Sequence, residues 1–424
     1  MKAKLILVLG LLGCAATAAD SKLTAVRFAK LWDGSKVIDR PLVLIENDRI
    51  QSVTAGNPPA PAGAIVIDWS NYYGLPGLID VHTHMTYYWD RAPGTRPFGE
   101  RLMPAETVYL AQENARKTLE AGVTTIRDLG SQDYDDIAMR NLINRGAMVG
   151  PRMFVCGYGL SVPWRSSRPG SPPEMSPGSA ENPDEVMKAV RAQIAAGADV
   201  IKMFGSEGGF DDVDTQQTFT YEEMKAAVEV AHTMGKKIAI HSYGPEGARD
   251  AVRAGTDSLE HAVDIDDATL AEMVKRGIYY VPTIDHNRYY IDAAKEYQFK
   301  AGYEEHLRAY IARNVRTAER AHKAGVKFAM GSDAVFTMFG QNTRELGWFV
   351  KIGMSPEEAL KAATVNGADL LGKTQDLGRL SPGHYADLVA VEGDPLSDIQ
   401  VAIDKVRAVM KGGAVVVGGG QIKP

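Results

Sequence analysis

Six glycines, Gly122, Gly197, Gly235, Gly255, Gly277 and Gly325, each close a stretch of helix-like periodicity and open a strand-like run. A helix often ends at a glycine because the capping residue takes positive φ, and in an α/β unit the next strand begins within a few residues. Helix and strand alternating in this way mean a parallel sheet. The strand-like runs fall near 75 to 81, 123 to 128, 152 to 157, 199 to 204, 237 to 241, 257 to 260, 279 to 283 and 326 to 330. Eight strands close a (β/α)8 TIM barrel, whose catalytic groups sit at the C-terminal ends of its strands. The expected class is therefore α/β.

The two chain ends have another texture. Residues 22–72 and 377–424 contain short alternating runs such as Pro41-Leu-Val-Leu-Ile-Glu46 and Asp387-Leu-Val-Ala-Val391, separated by turn residues. They are expected to form one small β-sandwich flanking a barrel over 73–376. Thr220-Tyr-Glu-Glu223 reads as a capping box, and Ser355-Pro-Glu-Glu358 as an N-cap with proline at the first helical position. Residues 291–323 read as one extended or doubled helix. The proline- and serine-rich stretch from Ser161 to Pro183 exceeds an ordinary connection and is expected to cover the barrel mouth.

With 424 residues the chain can bury a large core, and 47 Lys and Arg against 53 Asp and Glu leave a net charge of −6 without a long basic run. Nucleic-acid binding is not expected. Residues 1–19 read as a signal peptide: a basic start, an apolar segment too short to span a bilayer, then small residues. Soluble export, periplasmic or secreted, is the favoured expectation. Leu11-Leu-Gly-Cys14 also resembles a bacterial lipoprotein signal, in which lipidated Cys14 would anchor the chain to a membrane. After cleavage near Ala18 or Ala19 only Cys156 remains, so no intramolecular disulfide can form.

His82-Thr83-His84 ends the apolar run Gly74-Leu-Pro-Gly-Leu-Ile-Asp-Val81. Alternate residues of a strand share a face, so both imidazoles aim at one point, as a metal site requires. Three later runs also end in metal-competent residues: Asp199-Val-Ile-Lys-Met-Phe204 with Lys202, Lys237-Ile-Ala-Ile-His241, and Asp257-Ser-Leu-Glu-His261. A fourth, Val326-Lys-Phe-Ala-Met-Gly-Ser-Asp333, ends in a carboxylate. Taken singly, Lys202 could be an ordinary strand-end lysine, and His241 and His261 could be core histidines. His232, His306, His322 and His384 read as surface or packing residues.

Two His, Lys, His, His and Asp, in that order at successive strand ends, resemble the amidohydrolase superfamily with a binuclear metal centre, from about residue 22 to the C-terminus. The resemblance implies that His82, His84 and Asp333 bind one Zn2+ and that His241 and His261 bind a second. Lys202, carboxylated by carbon dioxide, and a hydroxide would bridge them. A buried lysine near cations loses its proton readily, which favours that modification. The implied chemistry is hydrolysis: the bridging hydroxide attacks a carbonyl, and Asp333 carries its proton to the leaving amine.

The segments Gly74 to His84, Ala121-Gly-Val-Thr-Thr-Ile-Arg-Asp128 and His241-Ser-Tyr-Gly244 resemble the peptidase-like branch of Xaa-Pro, Xaa-Arg and Xaa-Lys dipeptidases, and beyond it the bacterial ochratoxin A amidohydrolases. The branch implies dipeptide or N-acyl amino-acid substrates and homo-oligomers, octamers among them. Tyr243 would orient or protonate the substrate at the scissile carbonyl, or form a pocket wall. Where many relatives carry a histidine after strand three, this chain has Ser161-Val-Pro-Trp-Arg165.

Aromatic residues crowd the expected mouth: Tyr87, Tyr88, Trp89, Trp164, Phe210, Tyr289, Tyr290, Phe336 and Phe339. Such a lining suits a bulky or aromatic substrate. Arg165, Arg168 and Arg288 are candidates to grip a substrate carboxylate, and His286 to contact substrate. The same metal site could instead serve a lactonase, an imidazolonepropionase-like cyclic-amide hydrolase or a phosphotriesterase, because activated water attacks any of these electrophiles. A non-catalytic receptor for aromatic ligands would have no need for six metal-competent residues.

Overall fold

The computed structural model describes residues 23–92, 95, 97, 102–163, 175–208, 216–297, 299, 301–418 and 422–423. The expected signal peptide with Cys14, and also Trp164, Arg165, Arg168 and Phe210, lie outside the described residues.

Eight parallel strands build the barrel: β1 (Leu78–Thr83), β2 (Val123–Asp128), β3 (Arg152–Val155), β4 (Val200–Phe204), β5 (Lys237–Ser242), β6 (Ser258–His261), β7 (Tyr279–Val281) and β8 (Lys327–Phe328). They form two arcs, β1-β2-β3 and β4-β5-β6-β7-β8. Backbone hydrogen bonds join the arcs on both sides. Asp199 N donates to Val155 O at 2.7 Å and Leu160 N to Lys202 O at 2.8 Å, while Val81 N donates to Met330 O at 2.8 Å. The ring therefore closes, and the apolar strand residues fill a continuous core with the surrounding helices.

The glycine punctuation does what its spacing implies. Gly197, Gly255, Gly277 and Gly325 are left-handed helix C-caps, and Gly122 and Gly235 lie one residue past theirs. Thr220 and Ser355 both make capping boxes, with Glu223 and Glu358. The stretch expected as one extended or doubled helix is divided into Ile284–Asp292, Ala294–Tyr297 and Tyr303–Ala324, the last starting at Gly302 with φ 86°.

The strand expected over 75 to 81 is split. Its first part ends Ile65–Pro76, which belongs to a nine-stranded mixed sheet made with Leu23–Trp32, Leu42–Glu46, Leu388–Val391 and Val406–Lys411, among others. The break is Gly77, where a Cβ would stand 2.1 Å from Thr124 Oγ1 and 2.9 Å from the Asp387 Cβ. Only a glycine lets the chain pass there from the terminal sheet into the barrel. That sheet encloses its own core, with Phe28, Trp69, Leu388 and Met410 drawn from both chain ends. Among the described residues no helix is long and apolar enough to cross a membrane.

Candidate metal centre

All six expected ligands line one cavity of about 200 Å3 at the C-terminal end of the barrel. His82 and His84 project from the end of β1, Lys202 from β4, His241 from β5 and His261 from β6, while Asp333 follows β8. Asp333 Oδ1 lies 3.5 Å from His82 Nε2 and 3.2 Å from His84 Nε2. Lys202 Nζ lies 3.4 Å from His82 Nε2. The His241 and His261 ring centroids are 4.6 Å apart, and that of His82 is 4.9 Å from His261.

The hydrogen bonds behind the rings set their tautomers. His82 Nδ1 meets Glu260 Oε2 at 2.7 Å and His84 Nδ1 meets the Gly130 carbonyl at 3.2 Å. Both partners are acceptors, so each Nδ1 carries the proton and each Nε2 turns a lone pair inward. The inward groups meet Asp333 Oδ1, a buried oxygen that accepts no hydrogen bond. Lone pairs converging on lone pairs are favourable only around a cation. His82, His84 and Asp333 present ligand atoms within 4.8 Å of one another, and their N/O chemistry fits a divalent first-row metal.

The electrostatics agree. Burial, reinforced by Lys202, pushes His82 down to about 4, and burial also depresses His261 and His286. Burial opposes ionisation of Asp333, but any positive charge on the surrounding imidazoles, His286 first, outweighs it and holds the carboxyl well below its usual range. Neutral rings and an ionised carboxylate are the forms that bind metal. Burial lowers the Lys202 ammonium to about 8.

Backbone strain gathers here too. His261, Thr283, Asp333 and Phe336 have φ of 74°, 49°, 53° and 50°. Left-handed conformations of non-glycine residues cost of order 1–3 kcal/mol each and persist where the surroundings over-determine them. Thr283 Oγ1 lies 2.6 Å from His261 Nδ1, so its strained backbone places a hydroxyl against that ring.

Around these six residues, Tyr243, His286 and Phe336 line the cavity, joined by Tyr87, Phe204, Tyr290 and Val335. The Tyr243 ring stands edge-on to His241, with centroids 4.6 Å apart. His286 Nε2 is 3.4 Å from Asp333 Oδ2, and its Nδ1 donates to the Asp333 carbonyl at 2.8 Å.

Four expected substrate contacts are not part of this cavity. Tyr88 donates to Glu113 at 3.3 Å, toward helix Pro104–Glu120. Trp89 donates to Thr95 Oγ1 and lines a separate outer cavity with Glu113, Phe339 and Gln341. Tyr289 is bonded to Tyr297 and Thr337. The reason is helical geometry: in Ile284–Asp292, His286 and Tyr290 are four apart and share the inner face, with ring centroids 4.7 Å apart, while Tyr289 is turned off that face.

Arg288 is the fourth. Its Nε and one terminal nitrogen hold Asp285 at 2.9 and 2.7 Å, and it also bonds Asp292 and Gln341. The guanidinium is occupied by its own helix and by Gln341. Arg288→Met is therefore expected to leave KM within about twofold while costing roughly 3 kcal/mol of stability, because the buried Asp285 carboxylate loses its counter-ion. Substrate kinetics and a denaturant midpoint measure both. A raised KM at unchanged stability would return Arg288 to the substrate.

Residues 73–416 match the amidohydrolase family, and the chain belongs to that family as one of its enzymes. Over 96% of its length it is 30% identical to an ochratoxinase of Aspergillus niger, covering 89% of that protein. Its fold is similar to the crystal structure of a Xaa-Pro dipeptidase with methionine bound in the active site, with a TM-score of 0.86 and 30% identity over 94% of this chain and 100% of that one. It is also similar to the crystal structure of the A. niger ochratoxinase, with a TM-score of 0.79 and 27% identity over 95% and 99% of the two chains.

Proposed function

We propose that this chain hydrolyses the amide bond of N-acyl amino acids or dipeptides with a bulky aromatic residue, ochratoxin A with release of phenylalanine among them. The observation that carries the reading is the convergence of metal-competent lone pairs on the floor of a cavity walled by Tyr87, Phe204, Tyr290 and Phe336. The resemblance to an ochratoxinase and a Xaa-Pro dipeptidase supports it.

On this reading His82, His84 and Asp333 hold one zinc ion and His241 and His261 another, with carboxylated Lys202 between them. Such a pair of ions supplies water of lowered pKa and polarises the scissile carbonyl. The chain's own groups do the rest. Asp333 Oδ2 takes the proton of the attacking water and returns it to the leaving nitrogen. His286 Nε2, 3.4 Å away, is a second station for that proton. Tyr243 orients the carbonyl, and the aromatic walls pack against the substrate ring while excluding water. Export through the N-terminal segment and assembly into a homo-oligomer belong to the same proposal.

Among the described lining residues Asp333 is the only carboxylate, and it is committed to the histidines. A cationic side chain would therefore be buried unpaired, which is costly. From a panel of ochratoxin A, N-acyl-phenylalanines and dipeptides, the zinc-loaded protein is expected to release phenylalanine at least about tenfold faster than arginine or lysine. Equal release of the basic residues would overturn the aromatic preference. Silence across the panel, with turnover of lactones, would overturn the amide reading.

A further inference from the structure

Beneath the ligand shell, the barrel interior holds a buried ion pair that the proposed chemistry has not used. Arg127 projects inward from β2, and its terminal nitrogens donate to Ser258 Oγ and Glu260 Oε1 on β6, both at 2.9 Å. Its Nε donates to the Val81 carbonyl at 2.5 Å. Glu260 also accepts from Ser258 Oγ at 2.5 Å, and its other oxygen, Oε2, meets His82 Nδ1 at 2.7 Å. Arg127 is 1% exposed and Glu260 wholly buried.

Barrel interiors are ordinarily filled by branched aliphatic side chains. Two opposite charges in that place seldom stabilise a fold relative to apolar residues of the same volume, because both must be desolvated. Stability therefore does not account for the pair, and its geometry points to the histidine it touches. A carboxylate on Nδ1–H fixes the ring's tautomer and orientation and raises the electron density at Nε2. His84, by contrast, has only the neutral Gly130 carbonyl at 3.2 Å behind it.

The neighbouring residue supports the same segment. Asp128 Oδ2 accepts from Met85 N at 2.5 Å and from Thr83 Oγ1 at 3.1 Å. The dipeptide Arg127-Asp128 thus holds the backbone before and after the two histidines.

We propose that Glu260 is a positioning residue that makes His82 the stronger of the two β1 ligands, and that Arg127 is the counter-ion fixing the Glu260 carboxylate and limiting its pull on the Nδ1 proton. This rests on the reading of His82 as a metal ligand.

The test is zinc affinity of the metal-stripped protein, by competition with a fluorescent chelator, with cobalt absorption spectra as a second readout. Glu260→Gln is expected to weaken zinc binding ten- to a hundredfold and to shift the cobalt bands. Because that variant leaves Arg127 unpaired and can fail to fold, the double variant Arg127→Gln/Glu260→Gln is measured beside it. With both charges gone it should regain thermal stability but not affinity. Wild-type affinity and cobalt bands in the double variant would make the pair merely structural and overturn the proposal. If the unsubstituted protein binds no zinc, the metal reading itself falls, and this proposal with it.

Discussion

Asp333→Asn should lower kcat by roughly 10²–10⁴, the range that a positioned proton carrier contributes, while zinc content is largely retained. The amide keeps one oxygen toward His82 and His84 but cannot accept a proton from attacking water. The same substitution should stabilise the metal-free protein. In that state Asp333 Oδ1 faces two Nε2 lone pairs at 3.5 and 3.2 Å without accepting a hydrogen bond. An Asn can turn its NH2 to His84 and convert that opposition into a hydrogen bond, worth about 1 kcal/mol. Opposite movements of kcat and metal-free Tm are therefore expected, measured by single-turnover kinetics, metal analysis and thermal unfolding. A normal kcat would remove Asp333 from the proton path. A metal-free protein destabilised by the change would mean that the carboxylate is satisfied without a cation.

The barrel and the cluster of metal-competent residues at its mouth are legible in the sequence because both are local signals. Glycine caps mark where each helix stops, and a strand that follows within a few residues carries the metal-competent residue: His241 and His261 at or next to its end, Lys202 in its middle. The break at Gly77 is not legible, since Gly74 to Val81 is one apolar run and only contact with Thr124 and Asp387 separates its two sheets. The pocket walls fail for a related reason. Past the strand ends there is no period to follow, so Tyr289 and Tyr290 look equivalent until the helix turns one inward and the other toward Tyr297 and Thr337. Arg288 resembles a carboxylate clamp until Asp285, three residues earlier, is seen to occupy it. Glu260 and Thr283 carry no motif at all. Glu260 meets His82 across 178 residues of sequence, and strand alternation says only that it faces away from His261.

Lys202→Ala should lower turnover by at least about a thousandfold and leave room for one metal rather than two, because on the proposed reading Lys202 is the group placed between the two histidine pairs. An ammonium cannot ligate a cation, so Lys202 must react to serve there. On that reading its neutral amine would add to carbon dioxide: the N–C bond forms, one proton passes to solvent, and the carbamate shares a single negative charge between two oxygens. Burial prepares this step by pushing the group to about 8, so roughly a tenth is free amine at neutral pH, against about three in ten thousand at the ordinary lysine value. Carbamate formation should accordingly quicken as pH rises through that range. Lys202 lines the cavity, so truncation leaves a space opening on it, beside His82 and Phe204, that a short carboxylic acid can fill. Millimolar propionate should then restore part of the activity and the second metal to Lys202→Ala, while doing nothing for the unsubstituted protein. Native mass spectrometry gives the independent reading: the unsubstituted chain should carry the mass of one carbon dioxide that the variant lacks. Two zinc ions and normal kcat in Lys202→Ala would show that the centre is held together without the lysine, and its role as a ligand would fall.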